Sequence, residues 1–345
     1  MSELDEILKQ AQKNWGEHIG GKGLNHPKVE RIGTGLFPLD LATGGCFPRS
    51  RLSIVYGPES SGKTTLCYKA MAYTQHVLKQ DAVFIDIEHT FDAYWAAQCG
   101  VDVDAITILR PQTAEVAVDL VDATIRAKTV GIVVLDSIGS MITDNEVDSD
   151  AGKMIVGGSA AIVSKMVRKV TQAFTEEAKR DHHPALVCVN QIRYKIGVMF
   201  GDPETMPGGN LVKFASSLTI RLYGKDVMVE SVSKDLPTFK LIKGVVKKWK
   251  VPIISKNFQL ELCLIPHAGL GVGDCKSWNT VINYLKLQGT VVKDGAKWLC
   301  LGEEFKTLAA IEKRYNEDPG YQSALQQLVV DKEVEDGQSL PPQTD

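Results

Sequence analysis

The sequence predicts an α/β protein whose central sheet is mainly parallel and is covered by helices on both faces. Six short apolar runs, each long enough for a buried strand, lie at residues 52–56, 82–87, 106–109, 131–135, 185–189 and 218–222. Segments with a helical spacing of apolar residues separate most of them, at 64–78, 114–127 and 159–178. Buried strands that alternate with amphipathic helices are typical of a parallel sheet, because each crossover helix packs on one face. Residues 224–264 indicate antiparallel strands instead.

An amphipathic segment precedes this core. Its apolar side chains recur at a helical spacing, at Leu4, Ile7, Leu8, Ala11 and Trp15. Glycines at 16, 20, 21 and 23 then interrupt the pattern. We therefore expect residues 1–30 to form a short helix on a flexible stem. The apolar face of this helix either packs on the chain's own core or docks on a neighbouring subunit.

The first chemical motif is GPESSGKT at residues 57–64, a complete G-x-x-x-x-G-K-[ST] pattern between an apolar strand and a helix. Its glycines let the backbone N–H groups turn towards phosphates, and the start of the helix adds the positive end of its dipole. Lys63 is expected to reach the β- and γ-phosphates, and Thr64 to bind Mg²⁺. The predicted nucleotide-binding residues here are Gly57, Pro58, Glu59, Ser60, Ser61, Gly62, Lys63, Thr64 and Thr65. The motif therefore predicts a site for a nucleoside triphosphate.

Two further apolar strands end in carboxylates. Residues 132–136 read IVVLD, and an aspartate at the end of such a strand needs a partner, for which Mg²⁺, bound directly or through water, is the natural choice. After Thr64 of the phosphate loop, Asp136 with Ser137 is therefore the second element predicted to lie beside the metal ion. In FIDIEH, residues 84–89, Asp86 and Glu88 lie two apart and share one face of a strand. Glu88 is a candidate to orient or deprotonate the attacking water, and on pattern alone a surface carboxylate is an equal alternative.

Composition restricts the classes of function. Apolar residues make up 44% and charged residues 23% of the 345 residues, and no apolar run reaches the roughly 18 residues of a membrane span. The cysteines, at 46, 67, 99, 188, 263, 275 and 300, have no metal-binding spacing, so free thiols in a cytoplasmic protein are expected. A net charge of −3 is unusual for a protein that passively coats DNA. Any binding to DNA should therefore use local basic groups and depend on another ligand.

Four motifs together resemble the bacterial RecA family of recombinases. They are GPESSGKTTL at 57–66, FIDIEHTFD at 84–92, IVVLDSI at 132–138 and NQIRYKIGVMFGDPETMPGGN at 190–210. The similarity extends from about residue 29 to 252. From this resemblance we expect a RecA-like P-loop ATPase core at 31–302, followed by a small C-terminal helical region at 303–331 and an acidic, disordered tail at 332–345.

The resemblance implies roles for residues around the nucleotide. Glu88 is expected to be the catalytic carboxylate, acting with Lys63. Gln191 would sense the γ-phosphate from the root of a DNA-binding loop. Asp92 and the ring of Trp95 would hold the adenine of ATP, the nucleotide that the resemblance implies.

Two segments are expected to bind DNA. The first is residues 143–158, and the helix after it resembles the family's helix, with Ala161 where many members have an arginine. The second, 191–210, combines cations, apolar side chains and glycines in one long segment, which suits contacts with phosphates and insertion between bases. The candidate DNA-binding residues are Arg168, Arg193, Lys195, Ile196, Met199, Phe200, Gly208, Gly209 and Asn210.

The predicted function is that of an ATP-dependent homologous DNA recombinase, encoded by a bacterium or a bacteriophage. It would form a helical filament on single-stranded DNA and exchange strands with homologous duplex DNA, with Mg²⁺ as cofactor and DNA-stimulated ATP hydrolysis. Lys213 and Phe214 would lie at the interface between subunits, and single-strand-binding and mediator proteins are further expected partners. The alternative is a hexameric motor ATPase or helicase of the same fold, for which the sequence offers no clear arginine finger.

Overall fold

The chain contains an extensive set of strands and helices in its described part. The computed structural model describes residues 2–16, 20, 29–147, 158–194, 204–267 and 269–337. The strands are β1 (Arg31–Ile32), β2 (Phe47–Pro48), β3 (Leu52–Tyr56), β4 (Asp81–Asp86), β5 (Thr107–Leu109), β6 (Val130–Asp136), β7 (Ala185–Asn190), β8 (Arg193–Tyr194), β9 (Glu204–Thr205), β10 (Leu218–Val227), β11 (Phe239–Trp249), β12 (Asn257–Cys263), β13 (Cys275–Lys276), β14 (Val291–Asp294), β15 (Lys297–Cys300) and β16 (Glu303–Phe305). The helices are α1 (Glu3–Trp15), α2 (Phe37–Thr43), α3 (Lys63–His76), α4 (Ala93–Gln98), α5 (Ala114–Ile125), α6 (Asp144–Val147), α7 (Gly158–Ala178), α8 (Gly209–Ala215), α9 (Trp278–Leu287), α10 (Leu308–Glu317) and α11 (Pro319–Gly337), with a 3₁₀ turn at Ile138–Ser140.

The central sheet of the described chain has nine strands in the spatial order β13-β12-β11-β10-β3-β7-β6-β4-β5. Pairing is parallel from β10 across to β5 and antiparallel from β10 to β13. Every residue of β3, β6 and β7 is buried, as a parallel sheet covered on both faces requires. The predicted fold class is confirmed, and so is the antiparallel character of the region that contains β10 to β12.

Two apolar clusters cover the two faces of the sheet. On one face, α3 packs through residues such as Met71 against Phe84 of β4. On the other face, α5 and α7 contribute Val121 and Val163, which join the cluster of Ile85. Phe84 and Ile85 are neighbours in one strand, so their side chains point to opposite faces. This alternation explains why the strands read as continuous apolar runs.

The ends of the parallel strands define the edge where chemistry is concentrated. Asp86 at the end of β4 is the register partner of Asp136 at the end of β6. Tyr56 at the end of β3 is the register partner of Asn190 at the end of β7. The carboxyl ends of parallel strands face the same side, which is where ligands bind in open α/β sheets. The two loops that follow β3 and β4 therefore meet the turn that follows β6.

The C-terminal part has its own apolar core. Trp278, Ile311, Tyr315 and Val329 belong to a third cluster, which is built mainly from α9, β14 to β16, α10 and α11 and also includes Leu41 of α2. Within it, Ser277 Oγ lies 2.8 Å from Tyr315 Oη. Since α9 and the three-stranded sheet contribute their buried apolar side chains to this cluster, we propose that the C-terminal unit begins near residue 277, before the boundary expected from the sequence. The last helix runs to Gly337, so the first residues of the predicted tail are helical.

The N-terminal helix presents apolar side chains to solvent. Ser2 caps α1 in a capping box with Asp5. Leu4 and Ile7 remain 74% and 56% exposed. In the single chain these side chains are not covered by the chain's own core, so the observation favours the alternative in which α1 docks on a neighbouring subunit.

Two further features bear on expectations from composition. All seven cysteines are free thiols, as expected, and six of them are buried. Within the described ranges, we find no helix with both the length and the apolarity that crossing a bilayer demands.

Candidate nucleotide-binding site

The phosphate loop lies between the end of β3 and the start of α3. Gly62 is the N-cap of α3 with a φ of 90°, and Ser60 also has a positive φ of 56°. A Cβ on Gly57 would lie 2.5 Å from the carbonyl oxygen of Leu222 in β10, so only glycine fits there. The loop therefore wraps tightly over the first turn of α3, as the motif predicts.

Lys63 is the first residue of α3, and its side chain folds back over the loop. Its Nζ donates to the carbonyl oxygen of Pro58 at 2.8 Å. Burial lowers the pKa of this ammonium group, while the nearby carboxylates of Asp136 and Glu88 raise it. The predicted lysine and the two predicted carboxylates are thus close enough to interact electrostatically.

The antiparallel strands brace the phosphate loop from outside. Lys240 Nζ of β11 donates to the carbonyl oxygen of Ser60 at 3.1 Å and pairs with Asp226 Oδ1 at 2.9 Å. A Cβ on Gly224 would lie 2.7 Å from the same carbonyl oxygen. The sequence contains no signal for this contact, because Lys240 lies 180 residues after Ser60.

Asp136 and Thr64 meet beside the loop. Thr64 Oγ1 donates to Asp136 Oδ2 at 2.8 Å. Asp136 is only 4% exposed, and burial raises its pKa to about 6, while the hydrogen bond from Thr64 acts in the opposite direction. A hydroxyl and a carboxylate next to a phosphate loop are the oxygen ligands that Mg²⁺ accepts in proteins, so this pair fits the predicted metal position.

Three donors converge on a single oxygen of Glu88. Oε1 accepts hydrogen bonds from Ser140 Oγ at 2.7 Å, from Gln191 Nε2 at 3.0 Å and from Ser137 Oγ. Among the residues the structure describes, we find no hydrogen bond to Oε2 of Glu88. The structure thus brings together Glu88 and Gln191, which are 103 positions apart in the chain. It leaves one carboxylate oxygen available as an acceptor.

Asp86 has a different environment from Glu88, although the two share a strand face in the sequence pattern. Asp86 is fully buried and accepts hydrogen bonds from the backbone N–H groups of Thr90 and Phe91 at 3.0 and 3.2 Å. Arg110 Nε donates to it at 3.3 Å. Asp86 therefore shapes the loop after β4, and this loop carries Glu88 towards the phosphate loop.

Asp92 and Trp95 lie on α4, which follows the same loop. Asp92 Oδ1 caps the helix by accepting from the backbone N–H of Trp95 at 3.0 Å. The indole Nε1 of Trp95 donates to Thr65 Oγ1 at 3.0 Å. The half-buried ring thus lies beside the first turn of α3, close to the phosphate loop.

The predicted DNA-binding segments lie partly outside the described residues. Residues 148–157 of the first segment and residues 195–203 of the second lie outside the described residues. The predicted contacts that fall there are Lys195, Ile196, Met199 and Phe200. What the structure describes of the second segment begins with a two-stranded ribbon, in which Arg193 of β8 is the register partner of Thr205 of β9.

The ribbon is anchored on the sheet edge, and the cations predicted to contact DNA are exposed. Glu204 of β9 accepts from Arg221 Nη2 at 2.7 Å, and the Arg221 guanidinium stacks 3.4 Å from the centroid of the Tyr223 ring. Arg193 on the ribbon and Arg168 on α7 are both exposed. These two cations are therefore accessible to phosphates.

Glycine is required at 208 by packing and by a positive φ, and it is favoured at 209 by a positive φ. Gly208 is buried with a φ of 92°, and a Cβ on it would lie 2.9 Å from Cγ2 of Ile138. Gly209 has a φ of 77°, and a Cβ on it would lie 3.4 Å from Cβ of Ala160. These two contacts do not test the expectation that the backbone of Gly208 and Gly209 approaches DNA closely. Asn210, the next residue, is exposed on α8.

Helix α8 carries the two predicted interface residues. Lys213 Nζ donates to Thr205 Oγ1 at 3.1 Å, which ties the helix to the ribbon. Lys248 and Lys250 of the neighbouring strand region each donate to the carbonyl oxygen of Phe214 at 2.7 Å. Phe214 itself is 68% exposed. The structure therefore holds the end of α8 firmly while its phenylalanine ring faces solvent.

Comparison with known proteins places this chain among relatives of one kind. A family model described as the RecA N-terminal domain matches residues 2–263, a range that contains every residue of the site described above. The chain is 33% identical over 299 residues to Protein RecA of Synechococcus sp. (strain CC9902), covering 85% of this chain and 74% of that protein. It is 39% identical over 261 residues to Protein RecA of Trichodesmium erythraeum (strain IMS101), covering 74% and 70%. It is 35% identical over 267 residues to the mitochondrial DNA repair protein recA homolog of Dictyostelium discoideum, covering 74% and 57%.

Proposed function

The chain belongs to the RecA family, and from that premise we propose that it is an ATP-dependent homologous DNA recombinase. In this proposal it forms a helical filament on single-stranded DNA and catalyses homologous pairing and strand exchange, with DNA-stimulated ATP hydrolysis. The observation that carries the proposal is the hydrogen bond between Gln191 and Glu88. It connects the root of the predicted DNA-binding segment to the predicted catalytic carboxylate. The relatives do not favour the alternative of a hexameric motor.

The nucleotide is assigned to the loop at 57–64. Its backbone N–H groups and the start of α3 bind the phosphates, and Lys63 leaves the carbonyl oxygen of Pro58 to reach the β- and γ-phosphates. Thr64 and Asp136 would hold Mg²⁺, which neutralises charge that develops on the phosphates. Asp92 and the ring of Trp95 are assigned to the adenine.

Glu88 is the proposed catalytic residue. Because its Oε1 is occupied by three donors, Oε2 is the oxygen that accepts a hydrogen bond from the attacking water and orients it towards the γ-phosphate. Gln191 shares that network, so a change at the DNA-binding segment that moves Gln191 also changes the surroundings of Glu88. DNA and ATP would influence each other through this contact, which is compatible with a net charge of −3.

The proposed DNA contacts in the described residues are Arg168 and Arg193, with Asn210 at the start of α8. Both arginines are exposed and suit phosphate contacts, which set affinity without reading sequence. Single-stranded DNA is the proposed primary partner, with homologous duplex DNA second. Filament assembly would use the exposed Phe214 and the uncovered apolar face of α1.

ATP hydrolysis measured with and without single-stranded DNA tests this proposal. We expect a strong stimulation, at least about tenfold, because binding of the strand reorganises the residues around Glu88. Duplex DNA of the same length is the control and should stimulate less. Hydrolysis that is indifferent to single-stranded DNA would leave a P-loop ATPase with another substrate and would rule out the recombinase.

Affinity for the Mg²⁺–nucleotide is expected to fall as the pH drops below about 6. Burial raises the pKa of Asp136 to about 6, so below that pH its carboxyl is protonated in the folded chain and no longer suits Mg²⁺. The dissociation constant should then rise by up to about tenfold per pH unit. Calorimetric titration between about pH 5 and pH 8 measures this change. The amide of Asp136→Asn does not titrate, so this variant shows the pH dependence that arises from the nucleotide alone. Equal pH profiles of affinity for the wild type and the variant would show that Asp136 is not responsible.

A further inference from the structure

A serine that the sequence motifs do not include contacts the proposed catalytic carboxylate. Ser140 is the last residue of the 3₁₀ turn that follows β6, and its Oγ donates to Glu88 Oε1 at 2.7 Å. The same hydroxyl lies 3.2 Å from Ser137 Oγ, which also donates to Glu88. Two hydroxyl groups from one short turn therefore hold the same carboxylate oxygen.

The turn that carries Ser140 is firmly placed. The backbone N–H of Ser140 donates to the carbonyl oxygen of Ser137 at 3.3 Å, and Ile138, the first residue of the turn, is 1% exposed. A Cβ on Gly139 would lie 3.4 Å from both Asn190 Oδ1 and Cγ of Pro207. The turn is thus packed between the end of β7 and the residues just before α8, so the backbone that carries the Ser140 hydroxyl is held in place.

Gln191 differs from the two serines in its surroundings. It is exposed and lies at the start of the segment proposed to bind DNA, whereas Ser137 is buried and Ser140 half-buried in the turn. In the proposed function Gln191 senses the γ-phosphate, so turning towards it would weaken the hydrogen bond to Glu88, while the hydrogen bonds from the two serines would remain. Loss of one of three hydrogen bonds to a charged oxygen widens the range of orientations that Glu88 samples.

We infer that Ser140 is a positioning residue for ATP hydrolysis, which holds Oε1 of Glu88 so that Oε2 faces the attacking water after Gln191 has moved. This inference rests on the proposed function of Glu88. Ser140 itself touches neither the nucleotide nor the water. It acts through the orientation of the carboxylate, so its removal should affect the chemical step and leave nucleotide binding unchanged.

The test compares Ser140→Ala and Ser140→Thr for hydrolysis stimulated by single-stranded DNA and for ATP affinity. Ser140→Ala should lower kcat by about tenfold, which corresponds to the loss of one hydrogen bond, with the dissociation constant of ATP unchanged. Ser140→Thr restores a hydroxyl at this position and should recover most of the rate. The matched control is Ser164→Ala, since the half-buried Ser164 hydroxyl donates to the carbonyl oxygen of Ala160 in its own helix α7, at 2.8 Å.

A double-mutant cycle separates positioning from a general structural effect. In the Glu88→Gln background, Ser140→Ala should have a much smaller effect on the residual rate than in the wild type, because the two residues act as a unit. An unchanged kcat in Ser140→Ala, an equal loss in Ser140→Thr, or additive losses in the double variant would each overturn the inference. These results are distinct from failure of the proposed function, which appears in the wild type as hydrolysis without any response to DNA.

Discussion

Glu88→Gln is expected to reduce ATP hydrolysis in the presence of single-stranded DNA by about 10²- to 10⁴-fold, the usual contribution of a positioned acid or base. The amide has nearly the same shape as the carboxylate, and its oxygen can still accept the hydrogen bonds from Ser137, Ser140 and Gln191. Its nitrogen, however, replaces Oε2 with a donor, so it can accept neither a hydrogen bond nor a proton from the attacking water. Steady-state hydrolysis and ATP-dependent binding to a labelled single strand are the two measurements.

The pattern of the two results identifies the role of Glu88. Binding to the single strand in the presence of ATP should survive, because the phosphate loop and the proposed DNA contacts are unchanged. Glu230→Gln is the matched control, since Glu230 is an exposed acidic residue on the connection between β10 and β11. Hydrolysis at the wild-type rate in Glu88→Gln would mean that another group activates the water, and it would remove the basis for the inference about Ser140.

Phe214→Ala is expected to weaken self-association by about 30-fold or more, the effect of truncating an aromatic residue that anchors an interface. The phenylalanine is 68% exposed in the single chain, and burial of such a side chain against a partner stabilises an interface by about 1.5–3 kcal/mol. The helix that presents it ends in carbonyl groups held by Lys248 and Lys250, so little ordering is required on association. Sedimentation of the protein with ATP and a long single strand measures the assembled fraction.

Two companion measurements make this result specific. ATP affinity of the isolated subunit should be unchanged, because Phe214 makes no hydrogen bond or ring contact with the described nucleotide site. Leu287→Ala is the control, since Leu287 is 86% exposed but lies on the C-terminal unit. Unaltered assembly in Phe214→Ala, or equal losses in both variants, would remove Phe214 from the proposed interface.

The amino-acid sequence determined the parts of this protein that depend on local pattern. The apolar runs became the parallel strands because residues buried on both faces need no polar alternation. The phosphate loop was recognisable because its glycines, its lysine and its threonine lie at fixed spacings within residues 57–64, as enclosing phosphates requires. Asp136 was predicted because a carboxylate at the end of a buried strand requires a partner.

Only the tertiary structure decided which distant residues complete the site. Ser140 contacts Glu88 across 52 positions, and Lys240 contacts Ser60 across 180, and neither pair belongs to a local pattern. Trp278 likewise packs against Tyr315, 37 positions later, at a ring-centroid distance of 5.3 Å, and this contact supports the proposed start of the C-terminal unit. The physical reason is the same in each case. A hydrogen bond or a packed contact depends on where the folded sheet brings two side chains together, and sequence spacing does not record that distance.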